Sequence, residues 1–469
     1  MKQRLVTEEN KKWWTLAAVS VGLFMIMLDN TIVNVALPSI RRSLGMSLGQ
    51  LEWIVAGYAL TFAAFMLTGG KLADFVGRRR IFMIGLVVFT GASLACGLAP
   101  SGGFLIGSRV VQGLGGALMN PATLSIITAT FAPRERGRAI GIWAGVSAMA
   151  LAIGPLVGGL LVEHANWNWI FFINVPVGVI GFLTAPIFIE ETRDQSAEQR
   201  LDIPGLVASA IALFSLTYAF IEANTYGWTD ARILAAFAVA AVAAAAFVLL
   251  ERQQRAPMLD LSLFRNRTFA GANGSMLFVG LAMFGTFFFV SLYMQNVLRY
   301  SPVQAGASFL PMTLLIILIA PRAGALTDRV GSRWLVGFGM TMLAVMLFYY
   351  TQLGAHESFW KILPGLLIGG IGMGSTMTPL TAAAMSAVSA DKAGVGSAVL
   401  NSARQVGGSV GIAVMGAIVG SSTTYLGGFH DALRVGSLLC LVGAGVAVLA
   451  VRKIEHPHPA PQHQVAVEA

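Results

Sequence analysis

The chain contains fourteen apolar runs, each long enough to cross a membrane, and this feature constrains its fold more than any other. About 20 consecutive apolar residues are needed to span a ~30 Å hydrocarbon core as an α-helix. Such runs follow one another from residue 14 to residue 451 of the 469-residue chain, separated by short polar segments. We therefore predict an all-α integral membrane protein with fourteen transmembrane helices.

The composition supports one membrane domain without soluble appendages. Charged residues make up 11% of the chain and hydrophobic residues 56%, whereas soluble domains carry about 25% charged residues. No stretch longer than about 20 residues returns to a soluble composition. The formal charge of +9 comes from short basic clusters between apolar runs, so we expect lipid and not nucleic acid as the partner.

The distribution of Lys and Arg predicts the orientation. If the N-terminus is cytoplasmic, 22 of the 31 basic residues lie in cytoplasmic segments, six in outer loops and three within spans. Basic residues are enriched on the cytoplasmic side of membrane proteins. Both termini are therefore predicted to be cytoplasmic.

An internal repeat organises the chain. The segment GKLADFVGRRR at residues 70–80 returns 254 residues later as GALTDRVGSR at residues 324–333. Both copies follow the second span of a six-span set, so spans one to six and nine to fourteen are predicted to be equivalent halves. The expected units are a six-helix half at 1–190, a linker region with spans seven and eight at 191–266, a six-helix half at 267–455 and a flexible cytoplasmic tail at 456–469.

Two charged residues inside spans in the first half are the main site candidates. Asp29 lies in the segment LDNTIVNVALP at residues 28–38, which also holds Asn34, and a carboxylate in a bilayer usually faces a cavity or a partner. Counted along the helices, Asp29 is roughly 8 Å and Arg109 about 9 Å from the outer face. They could share a layer, with Gln112 one turn from Arg109. Burial favours a neutral carboxyl group and a nearby cation favours the charged form, so Asp29 could exchange a proton.

The second half offers Asn401 and Arg404 in span thirteen. Arg404 is about 15 Å from the helix start and needs a partner. Asp29 across a cavity, backbone carbonyls or an anionic substrate group are all compatible with the sequence. Weaker candidates are Tyr58 and Tyr293, as aromatic residues of a cavity wall, and Glu222, for which a role in the adjacent polar loop is favoured.

Four motifs give the chain a resemblance to the major facilitator superfamily, and within it to the fourteen-span drug:proton antiporters. They are the loop signature at 70–80, the span-one segment at 28–38, the segment RVVQGLGGA at 109–117 and GPLVGG at 154–159. The last resembles the antiporter motif, although Ala150 stands where the family often has glycine. Proline there removes a helical hydrogen bond, and the glycines let neighbouring helices approach.

The resemblance implies roles for individual residues. In the loop signature it implies that an acidic residue and its neighbouring arginine hold one conformational state, and in span four it implicates the arginine in proton transfer. The positions to which these roles are carried are Gly70, Asp74, Gly77 and Arg78 in the loop, Gly154, Pro155, Gly158 and Gly159 in the antiporter motif, and Arg109 in span four. The implied protein is a monomeric, cofactor-free exporter in the bacterial cytoplasmic membrane, driving small lipophilic compounds out by proton-coupled alternating access.

Other functions fit the residues less well. A membrane enzyme or metal site would need clustered His, Cys or carboxylates, but all six histidines fall in loops or the tail. No phosphate-binding glycine-lysine loop is present for ATP, and neither charge rings nor a filter sequence of a channel are visible. Within the transporter class, a narrow exporter of one metabolite, antibiotic or lipid remains the alternative.

Overall fold

The computed structural model describes residues 8–193, 201–254, 257–389 and 392–452, so the predicted tail at 456–469 lies outside it. Within these ranges there are fourteen helices long and apolar enough to span a membrane, and no strand. In chain order the spans are α1 Asn10–Leu44, α2 Leu48–Val76, α3 Arg78–Gly97, α4 Gly102–Thr130, α5 Arg134–His164, α6 Trp169–Phe188, α7 Ile203–Tyr226, α8 Ala231–Gln253, α9 Arg267–Asn296, α10 Pro302–Thr327, α11 Ser332–Tyr350, α12 Phe359–Ser386, α13 Gly394–Ser421 and α14 Tyr425–Ala450. The fourteen-helix prediction is confirmed.

The helices form two bundles with the same internal packing. In the first bundle α4 packs on α2 and α3, and α1 packs on α5; in the second, α12 packs on α10 and α11, and α9 packs on α13. Glycines make these contacts close: Gly115 on α4 lies against the Phe89 backbone, and Gly372 on α12 lies against the Gly339 backbone. The two six-helix halves predicted from the repeat are therefore present.

Helices α7 and α8 form a pair attached to both halves. They pack on each other, and α7 also packs on α2 and α13, which are themselves in contact. Only 17% of the apolar window of α8 is buried, so this helix presents most of its surface to lipid. The pair therefore covers the seam that α2 and α13 form between the two halves.

The halves also meet at the end of the bundle opposite the chain termini. Helix α9 contains a π-helical turn at Thr286–Val290, and beyond it Ser291 and Gln295 donate to the carbonyls of Asn34 and Val35 on α1, at 3.2 and 3.0 Å. Nearby, α10 joins α5. These contacts close the interface between the halves at that end.

Toward the end that holds the termini, α5 and α10 separate. Among the described residues, no heavy atom of another element lies within 4 Å of the position that a Cβ would occupy at Gly137, Gly141 or Gly145 on α5. Leu314 and Leu318 on α10 are 61% and 52% exposed. The cleft between the halves therefore opens toward the end that holds the termini.

The segment between α8 and α9 ties the halves together at that same end. Lys71 on α2 donates to the Pro257 carbonyl at 2.6 Å, and Asp260 pairs with Lys392 at 2.7 Å. Hydrogen bonds from Lys392 and Ser262 lower the pKa of Asp260 to about 2. This ion pair therefore stays charged across the pH range in which transport is measured.

Candidate functional site

A buried ion pair occupies the core of the first half. Arg109 on α4 donates through Nη1 to Asp29 Oδ2 on α1, and the side chains are 1% and 0% exposed. Gln112, one turn from Arg109, donates to the other carboxylate oxygen, Asp29 Oδ1, at 2.9 Å and accepts from Arg109 Nη1 at 2.8 Å. Asp29, Arg109 and Gln112 thus form a closed triangle of hydrogen bonds, which we call the Asp29 triad.

Helix α2 supplies the rest of the Arg109 environment. Arg109 Nε donates to the Ile54 carbonyl at 3.1 Å, and the guanidinium carbon lies 4.2 Å from the centroid of the Tyr58 ring. Tyr58 was predicted as a cavity-wall residue, whereas it is 1% exposed and stacks on this cation. Its contact with Arg109 makes it part of the site.

The energetics of such a pair depend on keeping both partners. Removing two charges from water is costly, and the attraction between them offsets this cost only with good geometry and satisfied hydrogen bonds. Both Asp29 oxygens have donors here, and Arg109 has three hydrogen-bond acceptors and an aromatic face. Breaking the pair would leave one charge buried alone, at a cost of about 3–5 kcal/mol.

The GPLVGG segment of α5 connects this site to the other half. A Cβ at Gly154 would overlap the Thr31 hydroxyl on α1, and one at Gly158 would lie within 3 Å of the Ile32 carbonyl. On another face of α5, Gly159 lies against Pro302, and Gly306 on α10 lies against the Pro155 carbonyl. One short segment therefore touches both the Asp29 helix and the second half.

The loop signature forms a turn with an ion pair across it. Gly77 joins α2 to α3 with a φ of 132°, a region that L-residues rarely adopt. Asp74, in the last turn of α2, pairs with Arg78 at the start of α3, at 3.1 Å. A Cβ at Gly70 would be in ordinary van der Waals contact with Pro121, at 3.6 Å.

Glu191, which the sequence did not point to, completes this loop. Its carboxylate accepts hydrogen bonds from the backbone N–H groups of Arg79 and Arg80, both at 3.2 Å, and lies against Gly77. An anion at a helix N-terminus is favoured by the helix dipole and the free N–H groups. The sequence signal for Glu191 would have been its position as an acidic residue directly after span six. The predicted domain boundary at residue 190 placed it in the linker region instead.

Several predicted site residues lie away from the triad. Asn34 donates within its own helix, to the Asn30 and Thr31 carbonyls, and Asn401 likewise donates to Ser397. Tyr293 packs in the second half, stacked on Phe429 at a centroid distance of 4.9 Å, with its hydroxyl bound to the Gly354 carbonyl. In the part of the chain that the structure describes, none of these three side chains forms a hydrogen bond to Asp29.

The partner of Arg404 was left open by the sequence, which was compatible with Asp29, backbone carbonyls or an anionic substrate group. Among the described residues Asp29 accepts hydrogen bonds from Arg109 and Gln112, and Arg404 forms no hydrogen bond to it in this conformation. Within the described residues Arg404 Nε has no hydrogen-bond partner, although it is buried. Arg404 Nε is therefore a buried donor that an anionic or hydrogen-bond-accepting group could satisfy.

Glu222 belongs to a helix and not to a loop, so the favoured interpretation was wrong. It lies in the last turns of α7, half-buried, and accepts a hydrogen bond from Trp53 Nε1 on α2 at 3.3 Å. Glu52, which precedes Trp53 on α2, is 2% exposed. No feature of the sequence singled out Glu52, because a glutamate near a span end resembles an interfacial residue.

Two pseudo-symmetric six-helix bundles, a cleft between them and a buried ion pair in the core of the first bundle define the chain as a secondary transporter by class. Its sequence matches the Major Facilitator Superfamily over residues 19–412. The chain belongs to this superfamily, which confirms the family-level resemblance, the fold and the expectation of a multi-pass membrane transporter and not an enzyme.

Similar proteins fall among bacterial resistance exporters. The multidrug resistance protein Stp of Mycobacterium tuberculosis is 38% identical over 408 residues, covering 86% of this chain and 75% of that protein. The tetracenomycin C resistance and export protein of Streptomyces glaucescens is 38% identical over 416 residues, covering 88% and 76%. A methylenomycin A resistance protein of Bacillus subtilis is 33% identical over 438 residues, covering 93% and 92%.

The fold has a solved counterpart. A bacterial homologue of the human lysosomal transporter Spinster, in an inward-facing and unoccupied conformation, aligns with a TM-score of 0.67 at 18% identity. The alignment covers 96% of this chain and 98% of that one. This likeness confirms the major facilitator fold.

Proposed function

We propose that the protein exports drug-like small molecules in exchange for protons, with the Asp29 triad as its coupling site. The observation that carries the proposal is the fully buried Asp29–Arg109 pair, since a carboxylate inside a transporter marks a proton or substrate pathway. The names of the similar resistance and export proteins support a drug or antibiotic as the cargo.

The mechanism follows from the cost of separating two buried charges. If a change of conformation or a competing substrate draws Arg109 away, the Asp29 carboxylate must be rehydrated or neutralised by a proton. Gly154 and Gly158 press α5 on α1 at Thr31 and Ile32. A movement of α5 against α10 therefore reaches the helix that holds Asp29, and proton uptake follows from the state change.

The orientation belongs to the same proposal. With both termini in the cytoplasm, as the distribution of basic residues predicts, the cleft between α5 and α10 opens inward. The conformation is then one that receives cargo from the cytoplasm. A C-terminal reporter that is active only on the outer side of the membrane would overturn this assignment.

The test is substrate-driven proton exchange by the purified protein in liposomes. An imposed pH gradient should drive uptake of a fluorescent cationic drug, and Asp29→Asn should abolish that uptake while retaining drug binding. Glu190→Gln is the matched control because its carboxylate is 72% exposed, far from the triad, and it should transport normally. Unchanged proton release on drug binding by Asp29→Asn would place coupling elsewhere.

A narrow exporter of one compound is the second candidate. It is favoured by the fact that two of the similar proteins are named for a single antibiotic, tetracenomycin C or methylenomycin A. The multidrug and narrow functions are distinguished by testing how far expression of the protein protects a strain against a panel of cationic, neutral and anionic toxic compounds. Protection against several unrelated compounds supports the multidrug function, and protection against one supports the narrow function.

A further inference from the structure

A cavity lies between the inserted pair of helices and the seam that α2 and α13 form. Its volume is about 450 Å³, within the range of small-molecule pockets, ~300–1,000 Å³. One wall comes from α2 of the first half and from α9 and α13 of the second, and the other wall comes from α7 and α8. A six-plus-six bundle without the inserted pair would therefore leave this cavity open to lipid.

The cavity lies in the half of the membrane nearest the chain termini. Ser209 on α7 and Asn273 on α9 both line it, each six residues from the start of its helix, or about 9 Å along the helix axis. Met258, from the segment between α8 and α9, lines the cavity at that same end, and its backbone N–H donates to Asp202 Oδ2 at 3.2 Å. The floor of the cavity is therefore anchored by hydrogen bonding.

The wall of the cavity is uncharged and offers hydrogen-bond acceptors. Of the described residues that line it, none is Asp, Glu, Lys, Arg or His, and three have polar side chains, namely Ser209, Asn273 and Ser402. Each of the three uses its donor group on a backbone carbonyl, at 3.0, 2.9 and 3.2 Å respectively. The capacity that these groups keep for a ligand is therefore mainly that of accepting a hydrogen bond.

Asn273 is the acceptor that gains most from a ligand. The residue is 4% exposed, and its Oδ1 has no hydrogen-bond partner among the described residues. A buried acceptor without a donor is costly, and a ligand hydroxyl or N–H group would remove that cost. A charged ammonium group would instead be buried without a counter-ion. The wall therefore favours an uncharged, lipophilic compound that carries a hydrogen-bond donor.

We propose that this cavity binds an uncharged lipophilic compound through apolar contacts and one hydrogen bond to Asn273 Oδ1, at a site separate from the Asp29 triad and from the cleft between α5 and α10. A phospholipid is a poorer match, because the lining contributed by the segment after α8, Met258, Leu259 and Phe264, is apolar and offers no cation for a phosphate. Since both halves line the cavity, its shape depends on their relative position, and an occupant favours the present conformation.

The direct test is photolabelling of the purified full-length protein in phosphatidylcholine nanodiscs with a diazirine derivative of octanol, an uncharged compound with one hydroxyl donor. Mass spectrometry should find the label on residues of the cavity wall, and an excess of naphthylmethanol should remove it. Absence of label from the wall, or label that naphthylmethanol does not reduce, would overturn the proposal, because lipid would then fill the cavity or no site would exist there.

A cavity-filling variant locates the label. Ala212 on α7 lines the cavity, and Ala212→Phe should reduce labelling of the wall about tenfold, since losing the burial of two CH₂ groups already weakens binding by roughly that factor. Ala210→Phe, two residues away on the same helix and outside the wall, is the matched control and should label like wild type. Should Ala212→Phe fail to fold, Ala244→Phe fills the cavity from the lipid-exposed helix α8. Labelling of the filled variant at the wild-type level would contradict the proposal.

The hydrogen bond is tested with naphthylmethanol and its methyl ether, which lacks the donor. Asn273→Leu should weaken displacement of the label by the alcohol about fivefold, the loss of one net hydrogen bond, and leave displacement by the ether unchanged. Comparing the two proteins cancels the different partitioning of the two competitors into lipid. Equal displacement by the alcohol in Asn273→Leu and wild type would overturn the role of Asn273.

This inference goes beyond the proposed proton-coupled export, and the two fail separately. Photolabelling is measured without a proton gradient, so an unlabelled cavity in a protein that shows gradient-driven uptake overturns this inference alone. A labelled cavity in a protein that shows no gradient-driven uptake overturns the proposed coupling and supports the binding site.

Discussion

Thr31 on α1 lies directly against Gly154 on α5, two residues from the carboxylate of Asp29. The contact is so close that even a methyl group at position 154 would overlap the Thr31 hydroxyl, which itself faces the Leu151 carbonyl at 3.4 Å. The position of Asp29 therefore depends on the absence of a side chain on the neighbouring helix.

Gly154→Ala should reduce transport, because the added methyl group pushes α1 away and displaces Asp29 from Arg109. Removing the Thr31 hydroxyl makes room, so Gly154→Ala combined with Thr31→Ala should recover much of the loss. Gly91→Ala on α3 is the control, since nothing lies within 4 Å of its Cβ position. Drug uptake in liposomes is measured for the single variant, the double variant and the control. If the double variant is as impaired as Gly154→Ala, the cause of the loss is not steric.

Arg109→Ala should lower the free energy of unfolding by about 3–5 kcal/mol, because it strands the Asp29 carboxylate in the core. Adding Asp29→Asn removes the stranded charge and should restore most of the stability but none of the proton-driven transport. Thermal unfolding in detergent and uptake in liposomes give the two readouts. Recovery of both together would mean that the pair has a structural role alone.

Asp74→Asn should slow transport while changing the free energy of unfolding by less than about 1 kcal/mol, since the Asp74–Arg78 pair is partly exposed. Asp328→Asn, in the second copy of the loop signature, should have the smaller effect because that copy has fewer basic residues. The measurement is the rate of drug uptake by Asp74→Asn, Asp328→Asn and wild type at matched expression. A fully active Asp74→Asn protein would reduce the loop to a topology signal.

Gly141→Cys should react with a membrane-impermeant thiol reagent added on the cytoplasmic side. Gly141 lies about five helical turns from Gly159, on the same face of α5. Gly159 contacts α10, whereas no described heavy atom lies within 4 Å of the Cβ position of Gly141. Ala150→Cys, at a fully buried position on the same helix, should stay unlabelled, and the native Cys96 and Cys440 are buried. Faster labelling of inverted than of right-side-out vesicles is the expected result; the reverse order would contradict the inward opening.

The sequence was most informative where the membrane penalises a residue. A charge in lipid needs a partner, and residue depth along two helices was enough to bring Asp29 and Arg109 into one layer. Facing directions were not predictable, because helix rotation is set by side-chain packing, so the Tyr58 contact with Arg109 was found only in the structure. Glu191 was missed for a related reason: its hydrogen-bond donors, the backbone N–H groups of Arg79 and Arg80, lie on α3, which is distant in sequence.

The pair α7 and α8 packs along the seam between α2 and α13, whereas no helix of the described residues covers the seam between α5 and α10 in the same way. We therefore expect a rocking motion of the two bundles to be asymmetric, with the smaller displacement along the seam between α2 and α13. At the α2 and α13 edge the halves carry α7 and α8 with them, whereas at the α5 and α10 edge they are joined near Gly159 and Gly306 and separate toward the end that holds the termini.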